Sequence, residues 1–510
     1  GINNDWNRLD GGKKVGRHLQ KALKQYRANN PEAIIPHLVK AYKAAGDLRN
    51  NHWRKVKQHQ IKKLILAANG CWMDGTAPKY YGVPGSEVKV EATFLRRNGF
   101  PMELKSVKYP FGNATNLDKS LPENEPVKKS TTIQIPEGIP FTQPYWLREP
   151  MHNQGMYRVP DQSFIGLPEA PTPMEVTYTI GVEDITFEVT KPVRYRWEDR
   201  VHGEQYRAFE IGPPATIELP TKVTVFPQQK AKTITLEVRA GIDQLNGEVG
   251  LTLPDGWQST PETHEIQIKQ KGSIKQISFD IIPPENADKG QLKAYFENEN
   301  GRFSHSLVSI NYDHIPRQTL FPKAEMNVVR LNIETRGEKI GYIMGSGDEV
   351  PAALRQLGYE VVMLNPKSFD EVALQNLDAI VIGVRAYNTQ KWLKHYQDRI
   401  FDYAQNGGTV VAQYNKDDNH ITKNIGPHPF TIAYDRVTVE TAKVNFLEPD
   451  HPLLNEPNAI SQDDFKGWVQ ERGLYFPGKW DDAYTPILSS HDPNESPKKG
   501  GLLFTQYGEG

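Results

Sequence analysis

Four short apolar runs near the end of the chain decide its fold: KIGYIMG (339–345), EVVMLN (360–365), AIVIGV (379–384) and TVVAQY (409–414). Runs of this kind are typical of strands that are buried on both faces of a parallel sheet. The stretches between them have a helical pattern and are long enough for crossover connections. The sequence therefore predicts a doubly wound α/β domain, to which we assign residues 316–510.

Upstream of this domain, short alternating strands are separated by turn residues. The clearest are SEVKVEATFLRR (86–97), KKSTTIQIP (128–136), MEVTYTIGV (174–182) and ITFEVTKPVRYRW (185–197). They predict a β-sandwich over residues 76–211. About seven further strands follow between residues 213 and 313, which is the strand count of an immunoglobulin-like sandwich and predicts a second one over residues 212–315.

The first 75 residues have helical spacing and predict a small bundle or docking element. The predicted helices are 15–26, 31–46 and 51–69, and the first carries an apolar stripe of Val15, Leu19, Ala22, Leu23 and Tyr26. The predicted fold class is thus multidomain α+β. It has a helical segment (1–75), two immunoglobulin-like β-sandwiches and a C-terminal flavodoxin-like α/β domain.

Composition narrows the possible partners. The 510 residues carry 61 basic and 62 acidic side chains, so the formal charge of −1 gives no electrostatic footprint for nucleic acid. No apolar run is long enough to span a membrane. Cys71 is the only cysteine, which excludes an intrachain disulfide. The chain starts without methionine and ends in GLLFTQYGEG, and we expect a fragment whose last domain is cut short.

The proline-rich connection at 138–173 contains Phe141, Tyr145, Trp146, Tyr157 and Phe164. Such aromatic side chains stack on sugar rings or pack against a neighbouring domain. Packing is the favoured interpretation, because long ordered loops need apolar anchors of their own.

Ligands of open α/β sheets collect beyond the carboxyl ends of the strands. The residues at these ends predict a pocket lined by Ser346, Asp348, Arg385, Tyr387, Gln413, Tyr414 and Asn415. Arg385 is either a partner for a carboxylate or phosphate or a member of a structural ion pair. The GSGD turn at 345–348 either presents N–H groups to an anion or serves as a tight turn and N-cap.

Downstream of the fourth strand, Asp417, Asp418, His420 and His428 are the one local set that resembles metal ligands. A solvated turn is the favoured interpretation, so we assign no metal. The rim candidates are Trp468, Gln470, Glu471 and Arg472, and ordinary packing is the stronger interpretation for them. No GxSxG elbow is present, and no catalytic residue is assigned.

Several longer stretches carry a family resemblance. They are VPGSEVKVEATF (83–94), GVRAYNTQKWLKHY (383–396), NGGTVVAQYN (406–415), DRVTVETAKVNFLEPDHPLLN (435–455) and DDFKGWVQERGLYFPGKWDDAYTPILSS (463–490). With them the chain resembles the carboxyl-terminal two-thirds of large PIG-L/LmbE-type deacetylases of Bacteroidetes. Its last domain is similar to class I glutamine amidotransferases and their degenerate relatives.

The resemblance implies a zinc-dependent deacetylase acting on a glucosamine-containing substrate, with zinc held by an amino-terminal His-Pro-Asp-Asp motif and a later histidine. This motif does not occur in the chain, since HDPN (491–494) and DHP (450–452) have another order. We therefore expect zinc only in a missing N-terminal deacetylase domain. Where an amidotransferase has its cysteine, this chain has Gln413, Tyr414 and Asn415.

Three functions follow as hypotheses, and whether this chain is itself an enzyme stays open. The first is a non-catalytic accessory region that helps a deacetylase recognise a glycan or amino sugar. The second is a structural protein-interaction module, and the third is an independent metal-dependent hydrolase that uses the acidic cluster after the fourth strand. The expected partners are a glycan and the missing N-terminal domain, and the resemblance implies a periplasmic or secreted location.

Overall fold

A computed structural model describes residues 5–152, 155–422 and 424–510 as a multidomain α+β protein with a helical N-terminal part and many β-sheets. The positions outside these ranges fall within the predicted segments 1–75, 138–173 and 316–510. At those positions the predictions lie outside the described residues.

Three helices begin the described chain, as the apolar spacing predicts. They are α1 (Gly12–Gln25), α2 (Ile35–Gly46) and α3 (Asn51–Ala68), and 3-10 turns at Trp6–Arg8 and Pro31–Ile34 precede the first two. The buried face of α1 differs from the predicted stripe, because Leu23 and Tyr26 are 76% and 48% exposed. The helix instead turns Gly16 towards the ring of Trp6, where an added Cβ would lie only 2.8 Å from the ring.

Ten strands form the first β region. They are β1 (Cys71–Ala77), β2 (Tyr81–Gly82), β3 (Glu87–Arg96), β4 (Glu103–Lys108), β5 (Ala114–Ser120), β6 (Val127–Gln134), β7 (Glu175–Val182), β8 (Ile185–Asp199), β9 (Gly203–Ala208) and β10 (Glu210–Ile211). Eight of them form one sheet in the order β5-β4-β7-β8-β1-β3-β6, with β9 paired to β8. The four strands predicted here are confirmed as β3, β6, β7 and β8. Strand β1 begins inside the segment predicted to be helical and lies at the centre of the sheet.

The helices and the first β region share one hydrophobic core. Its buried residues run from Val15 and Leu38 in the helices to Phe94 and Tyr178 in the sheet. The ring of Tyr42 on α2 lies 5.9 Å from that of Phe187 on β8. Because the apolar face of the helices is covered by the sheet, the two parts stabilise each other.

Twelve strands form the second β region. They are β11 (Ala215–Glu218), β12 (Val223–Phe226), β13 (Lys232–Ala240), β14 (Leu245–Thr252), β15 (Gln258–Thr260), β16 (Thr263–Ile268), β17 (Ile274–Ile282), β18 (Asp288–Asn298), β19 (Gly301–Phe303), β20 (Val308–Ile310), β21 (Gln318–Leu320) and β22 (Glu325–Arg330). One sheet has the order β11-β13-β17-β15, and the other has β12-β22-β18-β14-β16 with β19 on β18. Both sheets contribute to a single core that includes Phe279 and Phe296. Strand β22 lies beyond the predicted boundary at residue 315 and completes the second sheet.

The loop at 138–173 packs against the second β region. Phe141 places its ring 5.1 Å from that of His305 and 5.6 Å from that of Phe321. The Phe321 backbone N–H donates to the Gln143 side chain over 2.8 Å. A 3-10 turn at Gln162–Phe164 lies within the loop, where the rings of Tyr145 and Phe164 are 5.8 Å apart. The predicted packing of this loop against a neighbouring domain is confirmed for Phe141.

The last part of the chain contains the predicted parallel sheet. Its elements are β23 (Lys339–Ile343), α4 (Val350–Leu357), β24 (Glu360–Met363), α5 (Pro366–Glu371), β25 (Ala379–Ile382), α6 (Ala386–Thr389), α7 (Gln397–Gln405), β26 (Thr409–Ala412), β27 (Phe430–Val437), β28 (Asn445–Phe446), α8 (Pro452–Asn455), β29 (Gly473–Trp480), β30 (Thr485–Pro486), β31 (Leu488–Ser489) and β32 (Leu503–Phe504). Further 3-10 turns are Leu374–Asn376, Lys391–His395 and Gln462–Phe465. The four predicted strands pair in parallel in the order β24-β23-β25-β26, which confirms the alternation of strand and helix. Strands β27 and β29 form a separate, irregular antiparallel pair.

One glutamine joins the parallel sheet region to the second β region. Gln356, on α4, accepts a hydrogen bond of 2.8 Å from the backbone N–H of Val225 on β12. The ammonium group of Lys232 donates to the backbone carbonyls of both Gln356 and Val225, at 2.6 Å each. Helix α4 is therefore bonded to a strand of the neighbouring region as well as packed on its own sheet.

Candidate functional site

The loops that follow β23 and β25 cross at the carboxyl edge of the parallel sheet. The Ser346 N–H donates to the Val384 carbonyl at 2.9 Å, and the Gly383 N–H donates to the Ile343 carbonyl at 2.8 Å. A Cβ on Gly345 would lie 1.9 Å from the Val384 oxygen, so this crossing requires glycine. The predicted pocket residues Ser346 and Arg385 are brought together by this crossing, and the Ser346 side chain is exposed.

Arg385 connects the loop after β25 to the loop that follows β26. Its backbone is left-handed, with φ of 60°, and its N–H donates to the Tyr414 carbonyl at 2.8 Å. Within the described ranges the guanidinium makes no ion pair, and its buried Nε has no hydrogen-bond partner. Of the two predicted roles, the structural ion pair therefore has no counterpart among the described residues.

Tyr387 and Asn415 are buried, at 1% and 4% exposure, and hold the loops from within. The Asn415 Oδ1 accepts from the Tyr387 N–H at 3.1 Å, and its Nδ2 donates to the Gln413 carbonyl at 3.0 Å. Burial raises the pKa of the Tyr387 hydroxyl to about 12. These two residues thus position the loop backbone at the strand ends, and their own side chains are enclosed, unlike the prediction that they line a pocket.

A buried hydrogen-bond chain links the first strand to the fourth. The Tyr342 hydroxyl donates to Asp348 Oδ1 at 2.6 Å and accepts from the Gln413 amide at 2.9 Å. Burial, and then the Asp348 carboxylate, raise the pKa of Tyr342. Asp348 also accepts from the Val350 N–H at 3.0 Å, so a carboxylate of the chain already lies at the start of α4. The GSGD turn precedes α4, as the turn interpretation predicts, but the N-cap is Glu349, one residue beyond the turn.

Three buried polar atoms near these strand ends have no hydrogen-bond partner in the described chain. They are Asp348 Oδ2, Arg385 Nε and Asp417 Oδ1. Leaving such an atom unpaired costs about 1–3 kcal/mol, so each is a position where water or a ligand would bond. Two of them belong to residues that the sequence predicts for the pocket.

Three tyrosines form a partly exposed cluster beside these loops, which we call the tyrosine platform: Tyr414, Tyr434 and Tyr475. The rings of Tyr414 and Tyr475 are 6.4 Å apart with planes 15° from parallel, and the ring of Tyr434 lies 5.5 Å from that of Tyr475. Tyr414 and Tyr434 are 44% and 70% exposed. The Lys416 ammonium lies 5.9 Å from the Tyr475 ring centroid. The Asp417 carboxylate raises the pKa of the Tyr434 hydroxyl.

Sequence reasoning found Tyr414 in this platform and missed the other two. Tyr434 and Tyr475 lie on β27 and β29, whose pairing is broken by register shifts, and Tyr475 has a φ of 56°. No local spacing signals such a contact between distant segments. The available signal was the aromatic content of TIAYD (431–435) and GLYF (473–476).

The four weak metal candidates do not come together. His420 Nε2 is bonded to the Lys416 carbonyl. His428 packs its ring 5.9 Å from that of Tyr484. The Asp418 carbonyl accepts from the Asn388 side-chain amide at 2.7 Å, so this segment is bonded to the loop after β25. Across residues 5–152, 155–422 and 424–510, no three His, Cys, Asp or Glu side chains form a group that could hold a metal ion.

The rim candidates are used in local packing. The Trp468 Nε1 donates to the Asp464 carbonyl at 3.0 Å, and the Arg472 guanidinium lies 5.7 Å from the Trp468 ring. The Gln470 N–H donates to the Glu440 carboxylate at 2.7 Å. Glu471 is half-buried. These contacts agree with the packing interpretation.

The single thiol is in the first β region. Burial raises the pKa of Cys71 to about 12, and its sulfur lies 3.6 Å from that of Met102. A thiol with such a pKa is protonated at neutral pH and is a poor nucleophile.

No protein-family model and no curated protein sequence matches the chain. Among solved structures, native alpha-2-macroglobulin of E. coli is 11% identical with a TM-score of 0.17, over 53% of this chain and 17% of that one. A protein of unknown function from Porphyromonas gingivalis W83 is 9% identical with a TM-score of 0.14, over 51% of this chain and 99% of that one. The chain spans about a fifth of the length of the alpha-2-macroglobulin chains that it matches. Similarity at this level does not establish a common fold. No helix in the described ranges is long and apolar enough to cross a membrane.

Proposed function

We propose that this chain is a non-catalytic accessory region that binds carbohydrate and so helps a PIG-L-type zinc deacetylase to recognise its substrate. The observation that carries the proposal is the tyrosine platform at the carboxyl edge of the parallel sheet. In this proposal the helical segment supports two immunoglobulin-like β-sandwiches and a flavodoxin-like domain similar to degenerate amidotransferases. Zinc belongs to the deacetylase domain, and the location is periplasmic or secreted.

The platform suits a sugar ring because one face of a pyranose consists of C–H groups, which pack on the face of an aromatic ring. Tyr414 and Tyr475 provide nearly parallel rings whose centroids are 6.4 Å apart, and Tyr434 adds an exposed third ring. Lys416 and Asp417 border the rings with an ammonium group and a carboxylate that suit sugar hydroxyls. The platform thus combines apolar faces with polar groups at their edge, as ligand sites do.

The backbone at the platform supports a binding role. Tyr475 is a bulky residue in the left-handed region, with φ of 56°. Such a conformation costs on the order of 1–3 kcal/mol and is concentrated at binding and catalytic sites. At this backbone conformation the Tyr475 ring lies 6.4 Å from that of Tyr414 and 5.5 Å from that of Tyr434.

The strand arrangements support two of these fold assignments, those of the second β region and of the parallel sheet. The second β region has two sheets around one core, as immunoglobulin-like sandwiches do. The parallel strand order β24-β23-β25-β26 matches the start of a flavodoxin-like sheet. Gln413 and Asn415, at the position of an amidotransferase nucleophile, donate their amides to the Tyr342 hydroxyl and the Gln413 carbonyl. An amide side chain is not a nucleophile, which favours a non-catalytic role.

Calorimetric titration with a short N-acetylglucosamine oligomer tests the platform. We expect the wild-type chain to bind, and Tyr434→Ala and Tyr475→Ala each to weaken binding about tenfold or more. The matched control is Tyr312→Ala, which removes a tyrosine that is 62% exposed outside the platform. Absence of binding by the wild-type chain, or equal weakening by the control, would contradict the proposal.

A deacetylation assay with zinc analysis tests the accessory role. The chain is compared with a version that includes any sequence encoded upstream of Gly1. We expect zinc and turnover of N-acetylglucosamine derivatives only in the longer version. Zinc-dependent turnover by this chain alone would instead favour the hydrolase hypothesis, and the first variants to make would be Asp417→Ala and Asp418→Ala.

A further inference from the structure

A cavity lies between the 138–173 loop and the second β region, and none of the platform residues lines it. Its volume is about 470 Å³, within the range of small-molecule sites. Residues of the loop, including Gln143 and Arg148, form one wall. Residues of the second β region, including Lys222, His305 and Lys323, form the other.

The charged side chains of this cavity are mostly basic. Arg148, Lys222 and Lys323 line it together with one carboxylate, Glu325. In the described part of the chain the Arg148 and Lys222 side chains make neither a hydrogen bond nor an ion pair. Charges that the fold does not neutralise leave a positive potential in a concave site, which attracts an anion.

His305 adds a neutral imidazole ring to this wall. The Lys323 ammonium donates to its Nε2 at 3.2 Å, so Nε2 accepts and the ring proton lies on Nδ1. Burial, and then the nearby Lys323, lower the pKa of His305 to about 4, so the imidazole is neutral at pH 7. Its Nδ1 is buried and has no partner among the described residues.

Amide side chains complete the cavity. Gln143, Gln291 and Asn327 line it beside the basic groups. Amides both donate and accept hydrogen bonds, as recognition of hydroxyl groups requires. The lining therefore fits a ligand that has hydroxyl groups as well as anionic oxygens.

We propose that this cavity binds an anionic saccharide of one or two rings, whose carboxylate or sulfate lies between Arg148, Lys222 and Lys323. This site is independent of the tyrosine platform, because no residue is shared between them. This cavity would then select acidic glycans, while the tyrosine platform stacks on the faces of neutral sugars.

Calorimetric titrations of the full chain test the proposal. The probes are a glucuronate-containing disaccharide, a sulfated disaccharide and a neutral disaccharide of the same size. We expect at least one acidic probe to bind at least about tenfold more tightly than the neutral one. The tighter of the two acidic probes identifies the anionic group. Equal affinity for neutral and acidic probes, or no binding of either acidic probe, overturns the proposal.

Paired variants locate the site. Arg148→Gln with Lys222→Gln should weaken the preferred acidic probe about tenfold or more. The matched control, Arg158→Gln with Lys269→Gln, removes the same charges from exposed positions of the same loop and β region outside the cavity. Equal weakening by both pairs would show general charge attraction and overturn the assignment. Tyr434→Ala should leave acidic binding unchanged, so this site and the platform can fail separately.

Discussion

Tyr342, Asp348 and Gln413 form a chain of hydrogen bonds. Because the Tyr342 hydroxyl is its central link, removing this hydroxyl should lower the free energy of unfolding by several kcal/mol. Tyr342→Phe keeps the ring, which is 0% exposed, and deletes the donor to Asp348 and the acceptor from Gln413. A hydrogen bond to a charged group contributes about 1.5–3 kcal/mol and a neutral one about 0.5–1.5 kcal/mol. The substitution therefore costs roughly 2–4 kcal/mol, since Asp348 already has one unpaired oxygen.

The measurement is differential scanning calorimetry, because a chain with several cores need not unfold in one step. We expect the transition that contains the parallel sheet to fall by roughly 5–10 °C. The matched control is Tyr403→Phe in the same region. It deletes hydrogen bonds to neutral backbone groups only, including one of 2.9 Å to the Leu377 carbonyl, and should cost only about 1 kcal/mol. Equal shifts for the two variants would refute the reasoning that Asp348 makes the Tyr342 hydroxyl special.

Three further predictions follow from the same physical arguments. Gly345→Ala places a Cβ 1.9 Å from a backbone oxygen, so the crossing loops must separate at a cost of about 1–3 kcal/mol or more, seen in the same calorimetric transition. Asp74→Ala removes a carboxylate that is 2% exposed and 2.8 Å from an arginine, so it should lower the free energy of unfolding by about 3 kcal/mol in urea titration. The pKa of His305, lowered to about 4, predicts that the free energy of unfolding falls as pH drops from about 6.5 towards 4, because only the unfolded imidazole takes up a proton there. Melting curves of wild type and His305→Gln across this range check the sign.

Each of these three predictions has a control. Gly138→Ala should be neutral, since nothing lies within 4 Å of its added Cβ. Asp10→Ala breaks an exposed pair with Arg49 and should cost under about 1 kcal/mol. A pH dependence that is unchanged in His305→Gln would assign the titration to another group.

The parallel sheet was predictable because each strand is a short apolar run between helices, and the β regions were predictable from alternation. Strand β1 was missed because CWMDGTA (71–77) follows a long helix and lacks the alternation of its neighbours. Strand β22 was missed because its partners are β12 and β18, far from it in sequence.

The candidate site was predictable only where it follows the strands. The topology places Ser346, Asp348 and Arg385 at one sheet edge, and the structure has them there. Tyr434 and Tyr475 depend on an irregular strand pair, whose register shifts no periodicity encodes. The burial of Tyr387 and Asn415 depends on how the segments after β25 and β26 pack on each other. Tertiary packing decides this, so the local sequence does not predict it.

The contact of Gln356 with β12 has a consequence for engineering this protein. Because its side chain and carbonyl bond directly to the second β region, the connection at 331–338 is not the sole tether between the two regions. A chain divided within 331–338 and expressed as two polypeptides should reassemble by complementation. Gln356→Ala would weaken that reassembly. The yield of reassembled protein would therefore report the strength of the contact between α4 and β12.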